Sequence, residues 1–249
     1  MKEISIIIAT YNAEKYIRRC LDSIIPQKND TVELIIIDGK STDNTTSIIK
    51  EYIDSIDFFV SEKDAGVYDA WNKGIKNAQG NWIQFIGADD RLLPHSIDSY
   101  LHFLNTHDLD GIDFISARSE YVNVHGKLLQ YRGSQYIWSK FRKFMCISHG
   151  STLHSKLLFN EVGGYDLKYK LCADYELLLR KKEKTKALFF DQPVIKMQAG
   201  GISFSLAGQV ESFLIKKQHK TISLAFNLYH LVRGMVGFVA KKIIWDIEG

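Results

Sequence analysis

Several features that mark functional classes are scarce or missing in this sequence. It has only three cysteines, Cys20, Cys146 and Cys172. They lie far apart inside periodic segments, so paired-cysteine metal spacing is absent and a reduced, cytosolic setting is expected. No Gly-x-Gly-x-x-Gly follows the first strand-like run, and no Gly-x-x-x-x-Gly-Lys-Ser/Thr loop occurs, which excludes two common glycine-based cradles for pyrophosphate. Charge of one sign is also lacking. The 32 Lys+Arg against 29 Asp+Glu leave a net of +3, and the cations form no stripe interleaved with aromatics, so nucleic acid is not an expected partner. Met1-Lys2-Glu3 enters a strand pattern at once, with no charged leader and apolar signal region, and secretion is not expected.

What is present is a folded composition: 249 residues, 45% hydrophobic and 24% charged. That is enough for one large α/β domain or a domain with an appendage. The most informative stretch is Asn81-Trp82-Ile83-Gln84-Phe85-Ile86-Gly87-Ala88-Asp89-Asp90. An apolar run suited to a strand buried on both faces ends in a small residue and two adjacent carboxylates. Such a pair repels itself and loses solvation, so it persists where a cation or a hydrogen-bonding ligand neutralises it. In open α/β sheets, ligands sit at the carboxyl ends of the strands. A hard cation, Mg2+ or Mn2+, bridging to phosphate is one reading of Asp89 and Asp90. A cap on the turn into the next helix is the other.

Three βα units precede that stretch. Ile4 to Ala9 reads as a central parallel strand ending in Thr10-Tyr11-Asn12, followed by Tyr16, Ile17, Cys20, Leu21, Ile24 and Ile25 at helical spacing up to Pro26. Glu33 to Ile37 ends in Asp38-Gly39, and Ser41-Thr42-Asp43 offers N-cap chemistry for a helix carrying Ile48, Ile49, Tyr52, Ile53 and Ile56. Phe58 to Ser61 is a third strand, followed by Glu62-Lys63-Asp64-Ala65-Gly66 and a helix whose apolar face includes Tyr68, Trp71, Ile75 and Ala78. The alternation predicts a doubly wound sheet with right-handed crossovers. Its strand ends carry Asp38, Asp64, Asp89 and Asp90, which suits a nucleotide held by base, ribose and metal contacts.

The second half is mixed. Pro94 fits the first turn of a helix to about Asn105, Gly111 to Ser116 is a strand, and Tyr121 to Tyr131 suggests a hairpin turning at His125-Gly126. Lys156 to Val162 and Leu171 to Lys182 read as helices, Ala187 to Phe190 and Val194 to Met197 as short strands, and Gly200-Gly201-Ile202-Ser203 as a loop. Asp174 and Glu176 near the start of their helix gain from its dipole, and Arg180 pairs with Glu176 at helical spacing. Asp69, Asn72 and Lys73 either line a donor site or cap and solvate their helix. His149 makes either an acceptor or diphosphate contact or a structural hydrogen bond. From about Val210 basic and apolar groups alternate, with Asn227, His230 and Arg233 interrupting the apolar run. That pattern suits an interfacial helix with Lys241, Lys242 and Trp245 at its boundary, or a helix packed on the core or on a twin subunit, better than one spanning a bilayer.

Taken together, Ser5-Ile6-Ile7-Ile8-Ala9-Thr10-Tyr11-Asn12, Ile36-Ile37-Asp38-Gly39-Lys40-Ser41-Thr42-Asp43, the segment from Ser61 to Gly74 and the Ala88-Asp89-Asp90 strand end resemble, in order, the motifs of family 2 glycosyltransferases with the GT-A fold, particularly bacterial enzymes of surface-polysaccharide assembly. The resemblance covers roughly residues 4 to 205. It implies a GT-A domain over 1–205, with a nucleotide-sugar half to about 116 and an acceptor half over about 117–205, and a C-terminal helical segment over 206–249.

The same resemblance assigns Thr10, Tyr11, Asp38 and Asp64 to the nucleotide and Asp89 and Asp90 to a divalent metal, Mn2+ or Mg2+, on the diphosphate. Gly87 stands where a first metal-binding carboxylate often does, which leaves open which of the two aspartates touches the metal. Gly200, Gly201 and Ser203 match a mobile loop over the diphosphate, or form a plain turn. Asp174 matches the catalytic base. The implied reaction is inverting transfer of a sugar from a nucleotide sugar, UDP-linked, to a hydroxyl of a glycan or lipid-linked acceptor, with His149 on the acceptor side. The base deprotonates the acceptor and the metal stabilises the leaving diphosphate. The expected setting is cytoplasmic, and the basic, apolar C-terminal segment itself suggests contact with the inner membrane face, with a twin subunit in a homodimer or with its own core. A sugar-phosphate nucleotidyltransferase would normally carry a Gly-rich loop after the first strand. A non-catalytic nucleotide-sugar-binding module would leave Asp174 dispensable.

Overall fold

The computed structural model describes residues 1–123, 125–200 and 205–248, with side chains followed to residue 238. Its first half comprises β1 (Ile4–Thr10), α1 (Ile17–Ile24), β2 (Val32–Asp38), α2 (Thr45–Lys50), β3 (Phe58–Ser61), α3 (Val67–Asn77) and β4 (Trp82–Gly87). The second half comprises β5 (Arg91–Leu92), α4 (Ser96–Thr106), β6 (Phe114–Val122), β7 (Leu128–Arg132), α5 (Trp138–Phe141), β8 (Thr152–Ser155), α6 (Lys156–Val162), α7 (Ala173–Leu179) and β9 (Ala187–Gln198). Two helices, α8 (Leu206–His219) and α9 (Leu224–Glu248), follow.

The strands form one sheet in the order β3-β2-β1-β4-β8-β6-β9-β5, with β7 paired to β6 beside that path. Strands β3, β2, β1 and β4 are parallel. β8 runs antiparallel to both β4 and β6, which itself pairs parallel with β9. This is the expected α/β architecture: a mostly parallel central sheet flanked by helices, joined to a mixed half.

The first four strands form because their aliphatic runs are covered on both faces. Ile6, Ile8, Leu34 and Ile36 pack with Ile17, Cys20, Leu21 and Ile24 of α1 in one cluster, while Ile7, Ile35 and Ile37 pack on the opposite face with Tyr68 and Ala70 of α3. Helix α3 approaches β1 so closely that a Cβ at Gly74 would lie 2.4 Å from Ile7 Cγ2. Parallel register then aligns the strand ends: Thr10 sits opposite Asp38, Asp38 opposite Ser61, and Ala9 opposite Gly87.

Four local expectations change. Helix α2 stops at Lys50, and a separate 3-10 turn over Ile53–Ser55 replaces the helical run to Ile56. Pro94 precedes α4 rather than entering its first turn, because left-handed His95 (φ 62°) is the N-cap. Strands β6 and β9 are longer than their apolar runs and β8 was not anticipated, because small hydroxyls take interior positions there. Ser151 Oγ donates to the Ala117 carbonyl at 2.8 Å, and Ser148 Oγ to Ser119 Oγ at 2.9 Å. β9 passes through Asp191-Gln192-Pro193 by shifting register against β6 around Arg118.

Helix α8 begins at Leu206 and is stitched to α7. The Glu211 carboxylate accepts the backbone N–H groups of Lys170, Leu171 and Cys172 at 2.7–2.9 Å, and His219 Nε2 lies 2.8 Å from Glu176 Oε1. Among the described residues no helix is long and apolar enough to cross a membrane.

Candidate active site

The carboxyl edge of the parallel strands gathers the polar groups singled out from sequence. Asp38 is fully buried. Its Oδ2 accepts from the Ser41 N–H at 2.9 Å and the Ser61 hydroxyl at 2.6 Å, and its Oδ1 accepts from the Ser41 hydroxyl. Ser41, expected to cap α2, instead fixes this carboxylate, while Asp43 Oδ1 accepts the Thr45 N–H at 3.0 Å. Asn12, in the left-handed region at φ 47°, ties the first strand-end loop to the second, since its Oδ1 accepts the Thr42 N–H at 2.9 Å. Asp64 lies over Gly39, where a Cβ would come 2.7 Å from Asp64 Oδ2, and its Oδ1 accepts the Gly66 N–H at 2.9 Å. Thr10 is buried, yet its Oγ1 has no hydrogen-bond partner, a state with a desolvation cost that a ligand acceptor or donor would relieve. Tyr11 beside it is 63% exposed.

One strand further on, Asp89 is exposed and Asp90 buried. A Cβ on Gly87 would meet Asp89 Oδ1 at 2.8 Å and Asp90 Oδ2 at 3.2 Å, so the two carboxylates converge over a position that only glycine leaves open. Burial and the neighbouring Asp89 charge raise Asp90 well above the usual carboxylate range, opposed by the backbone N–H groups of Gly87 and Gln198. A divalent cation between the two would reverse that shift. The donor set is two carboxylates, and among the described residues no cluster of three His, Cys, Asp or Glu surrounds it. It therefore fits an ion that takes its remaining ligands from phosphate and water.

Asp174 occupies the first turn of α7 and is partly exposed. Burial of its carboxyl lifts the pKa to about 6, against the Tyr175 N–H and the Tyr68 hydroxyl, which donates to Oδ1 at 3.1 Å. A carboxylate with an affinity for protons near neutrality, braced from a second helix, is suited to accept one. In the sequence Tyr68 stands out only as part of an apolar helix face. The signal available is its place four residues after Asp64.

His149 stacks on Trp71 and Phe85, with ring centroids at 4.8 and 5.3 Å, and its Nε2 is 3.0 Å from the Tyr165 hydroxyl. Burial lowers its pKa to about 3, so the ring is neutral. Asn72 faces this cluster rather than capping its helix: it donates to the Tyr165 carbonyl at 2.9 Å and accepts the Tyr165 N–H at 2.8 Å. Asp69 accepts the Ala65 N–H at 2.9 Å, and Lys73 pairs with Glu62 at 2.9 Å. Arg180 binds Glu176 as the spacing predicts and also donates to the carbonyls of Val162 and Gly164. Gly200 (φ 101°) donates its N–H to the Tyr121 hydroxyl at 3.1 Å, while Gly201 and Ser203 lie outside the described residues. Beside Asp89 a cavity of about 270 Å³ is lined by Arg19, Arg91, Lys196 and Gln198 among others, a group the sequence did not bring together.

This sheet, with acidic strand ends on one half and a carboxylate on a helix of the other, is the architecture of the GT-A glycosyltransferases. The chain belongs to glycosyl transferase family 2, whose pattern matches residues 5–158. It is 30% identical over 199 residues to an uncharacterized glycosyltransferase of Rickettsia typhi, spanning 77% of this chain and 62% of that protein, less than two thirds of its length. The structure of S. aureus TarS 1–349 in complex with UDP-GlcNAc superposes with a TM-score of 0.71 at 18% identity, covering 94% of this chain and 71% of that one. A mannosyltransferase, PcManGT from Pyrobaculum calidifontis, in complex with GDP-Man and Mn2+, gives a TM-score of 0.62 at 14% identity, covering 96% and 75%. At these identities the two structures share the fold.

Proposed function

We propose that this chain is an inverting, metal-dependent glycosyltransferase that moves a hexosyl or N-acetylhexosaminyl group from a UDP-linked donor to a hydroxyl of a glycan or lipid-linked glycan in bacterial surface-polysaccharide synthesis. The observation that carries it is the link between the two halves: Tyr68, four residues after Asp64 at the strand edge, hydrogen-bonds Asp174 at 3.1 Å. In this reading Thr10, Tyr11, Asp38 and Asp64 hold the nucleoside. Asp89 and Asp90 would hold Mn2+ or Mg2+, which would supply positive charge to the departing diphosphate. Gly200, Gly201 and Ser203 contact that diphosphate, with Gly200 held by its N–H on the Tyr121 hydroxyl.

Asp174 accepts the proton of the acceptor hydroxyl as that oxygen attacks the sugar from the face opposite the leaving group. Tyr68 keeps the carboxylate oriented. His149, uncharged, gives the acceptor side a flat ring and no positive charge. Residues 1–205 form the catalytic domain and 206–249 a helical segment; the catalytic half works on the cytoplasmic side.

The test is to incubate the protein with a panel of nucleotide sugars and Mn2+ and to follow donor hydrolysis or transfer, alongside Asp174→Asn. Donor binding with transfer lost in the variant is the expected result. Wild-type activity in the variant would remove the base assignment, and failure to bind any nucleotide sugar would remove the donor assignment.

A further inference from the structure

The α8/α9 hairpin carries exposed aliphatic side chains at helical spacing. On α8, Leu206, Val210 and Leu214 recur every four residues and are 40–50% exposed. On α9, Leu224, Leu228, Val232 and Val236 do the same at 52–63% exposure. Residues four apart form one ridge along a helix, so each helix carries a continuous exposed aliphatic ridge. The opposite sides of both helices are occupied. Asn227 Nδ2 donates to the Phe213 carbonyl at 2.9 Å, a Cβ on Gly234 would lie 2.2 Å from Gln209 Oε1, and Ile215 is fully buried. The ridges therefore face away from the contacts that hold the hairpin together and onto the body.

Charge singles out the same segment. Residues 205–249 contain six Lys or Arg and three Asp or Glu, so the whole net charge of +3 resides there and residues 1–204 are balanced. Among the described side chains of the hairpin the sole acid is Glu211, and it is turned inward onto three backbone N–H groups. Lys216 is likewise buried, donating to the Lys143 carbonyl at 3.2 Å. Lys217, Lys220 and Arg233 are exposed. Aliphatic ridges bordered by exposed cations, with no outward acid among the described residues, match an anionic lipid surface. The ridges enter the boundary between headgroups and acyl chains while the cations meet lipid phosphates. A second copy of the same hairpin would set its cations against their like, which costs specificity and rate in association.

We propose that the outer face of α8 and α9 is a peripheral docking surface for anionic bilayers. The proposal is independent of the catalytic reading, because donor binding can be followed on the same variants.

The test is flotation of the full chain with vesicles of phosphatidylcholine alone and of phosphatidylcholine with phosphatidylglycerol, with molar mass in solution measured in parallel. Binding to the anionic vesicles at least tenfold stronger than to the neutral ones, weakened at high salt, is expected. Leu228→Gln with Val232→Gln should reduce it tenfold or more, and Lys217→Glu with Lys220→Glu should abolish the preference for anionic lipid. Both pairs are exposed, so unchanged melting and nucleotide binding should accompany the loss. Absence of flotation, or equal flotation of all variants, overturns the proposal. So does a wild-type dimer without flotation that the Leu228/Val232 variant converts to monomer, which would assign the ridges to a second copy.

Discussion

The Tyr68 hydroxyl donates to Asp174 Oδ1 at 3.1 Å, so helix α3 of the N-terminal half holds a carboxylate 106 residues further along the chain. That bond favours the ionised carboxylate, against a burial effect that sets the pKa at about 6. Transfer should therefore rise with pH through about 6 as Asp174 loses its proton. Tyr68→Phe removes a group that lowers this pKa, so the acid limb should move to higher pH. A pH–rate profile of both proteins checks the sign, and an unshifted limb in Tyr68→Phe would detach Tyr68 from the titrating group.

Asp174→Asn should lower the turnover number by roughly 100- to 10,000-fold while leaving the donor dissociation constant within about twofold, as expected for loss of a general base. Isothermal titration with a nucleotide diphosphate separates the two quantities.

The same substitution should stabilise the fold near neutral pH. The folded pKa, about 6, lies above the ordinary carboxylate value, so the folded state binds this proton more tightly. Its stabilising contribution is present at acid pH and is lost as pH rises through about 6. The amide of the Asp174→Asn variant has no such dependence, and a gain of about 1–3 kcal/mol at pH 7.5 over the parent is expected from a shift of this size. Urea denaturation should show little difference at about pH 3.5, below the ordinary carboxylate value, a partial one near pH 5 and the full one at about pH 7.5.

Gly87→Ala would place a methyl group 2.8 Å from Asp89 Oδ1. That oxygen ends a flexible, exposed side chain, so the fold should survive with a change within about 1 kcal/mol. The carboxylate, however, must swing away from Asp90. Mn2+ affinity measured by electron paramagnetic resonance in the presence of nucleoside diphosphate should fall on the order of tenfold, as a displaced ligand costs about 1.4 kcal/mol or more. Undiminished affinity would move the metal off this pair.

Gly74→Ala meets a different neighbour. Its Cβ would lie 2.4 Å from Ile7 Cγ2, in the packed layer between α3 and β1. Overpacking there should cost about 1–3 kcal/mol, read as a lower denaturation midpoint with an unchanged slope.

The N-terminal half was legible because its strands are largely apolar, buried runs that end in a polar or small residue: Ile4–Thr10, Val32–Asp38, Phe58–Ser61 and Trp82–Gly87 follow the sequence pattern to within a residue or two. The other half was less so. β8 carries Thr152 and His154 inside, and the small hydroxyls of Ser116, Ser119 and Ser151 replace aliphatic groups between strands, which erases the alternation that reveals a strand. β5 is two residues long and is held by β9, so nothing local marks it.

At the site, residue types at strand ends were readable, whereas partners were not. Ser41 on Asp38 is a turn contact three residues along, whereas Tyr68 on Asp174 joins two helices 106 residues apart and Asp64 over Gly39 joins two strand-end loops, pairings that only the packed fold decides. Gly87 reads in sequence as a missing carboxylate; in three dimensions it is the gap into which its neighbours lean.

The three backbone N–H groups that Glu211 accepts belong to Lys170, Leu171 and Cys172, immediately ahead of the turn that carries Asp174. The C-terminal hairpin is thus a splint set against the outside of α7, rather than a tail hung on a finished domain. A chain cut at residue 205 would free that turn, and its loss of transfer would say nothing about lipid. A displacement of α8 at a surface has, by contrast, a path of only a few bonds to the Asp174 carboxylate.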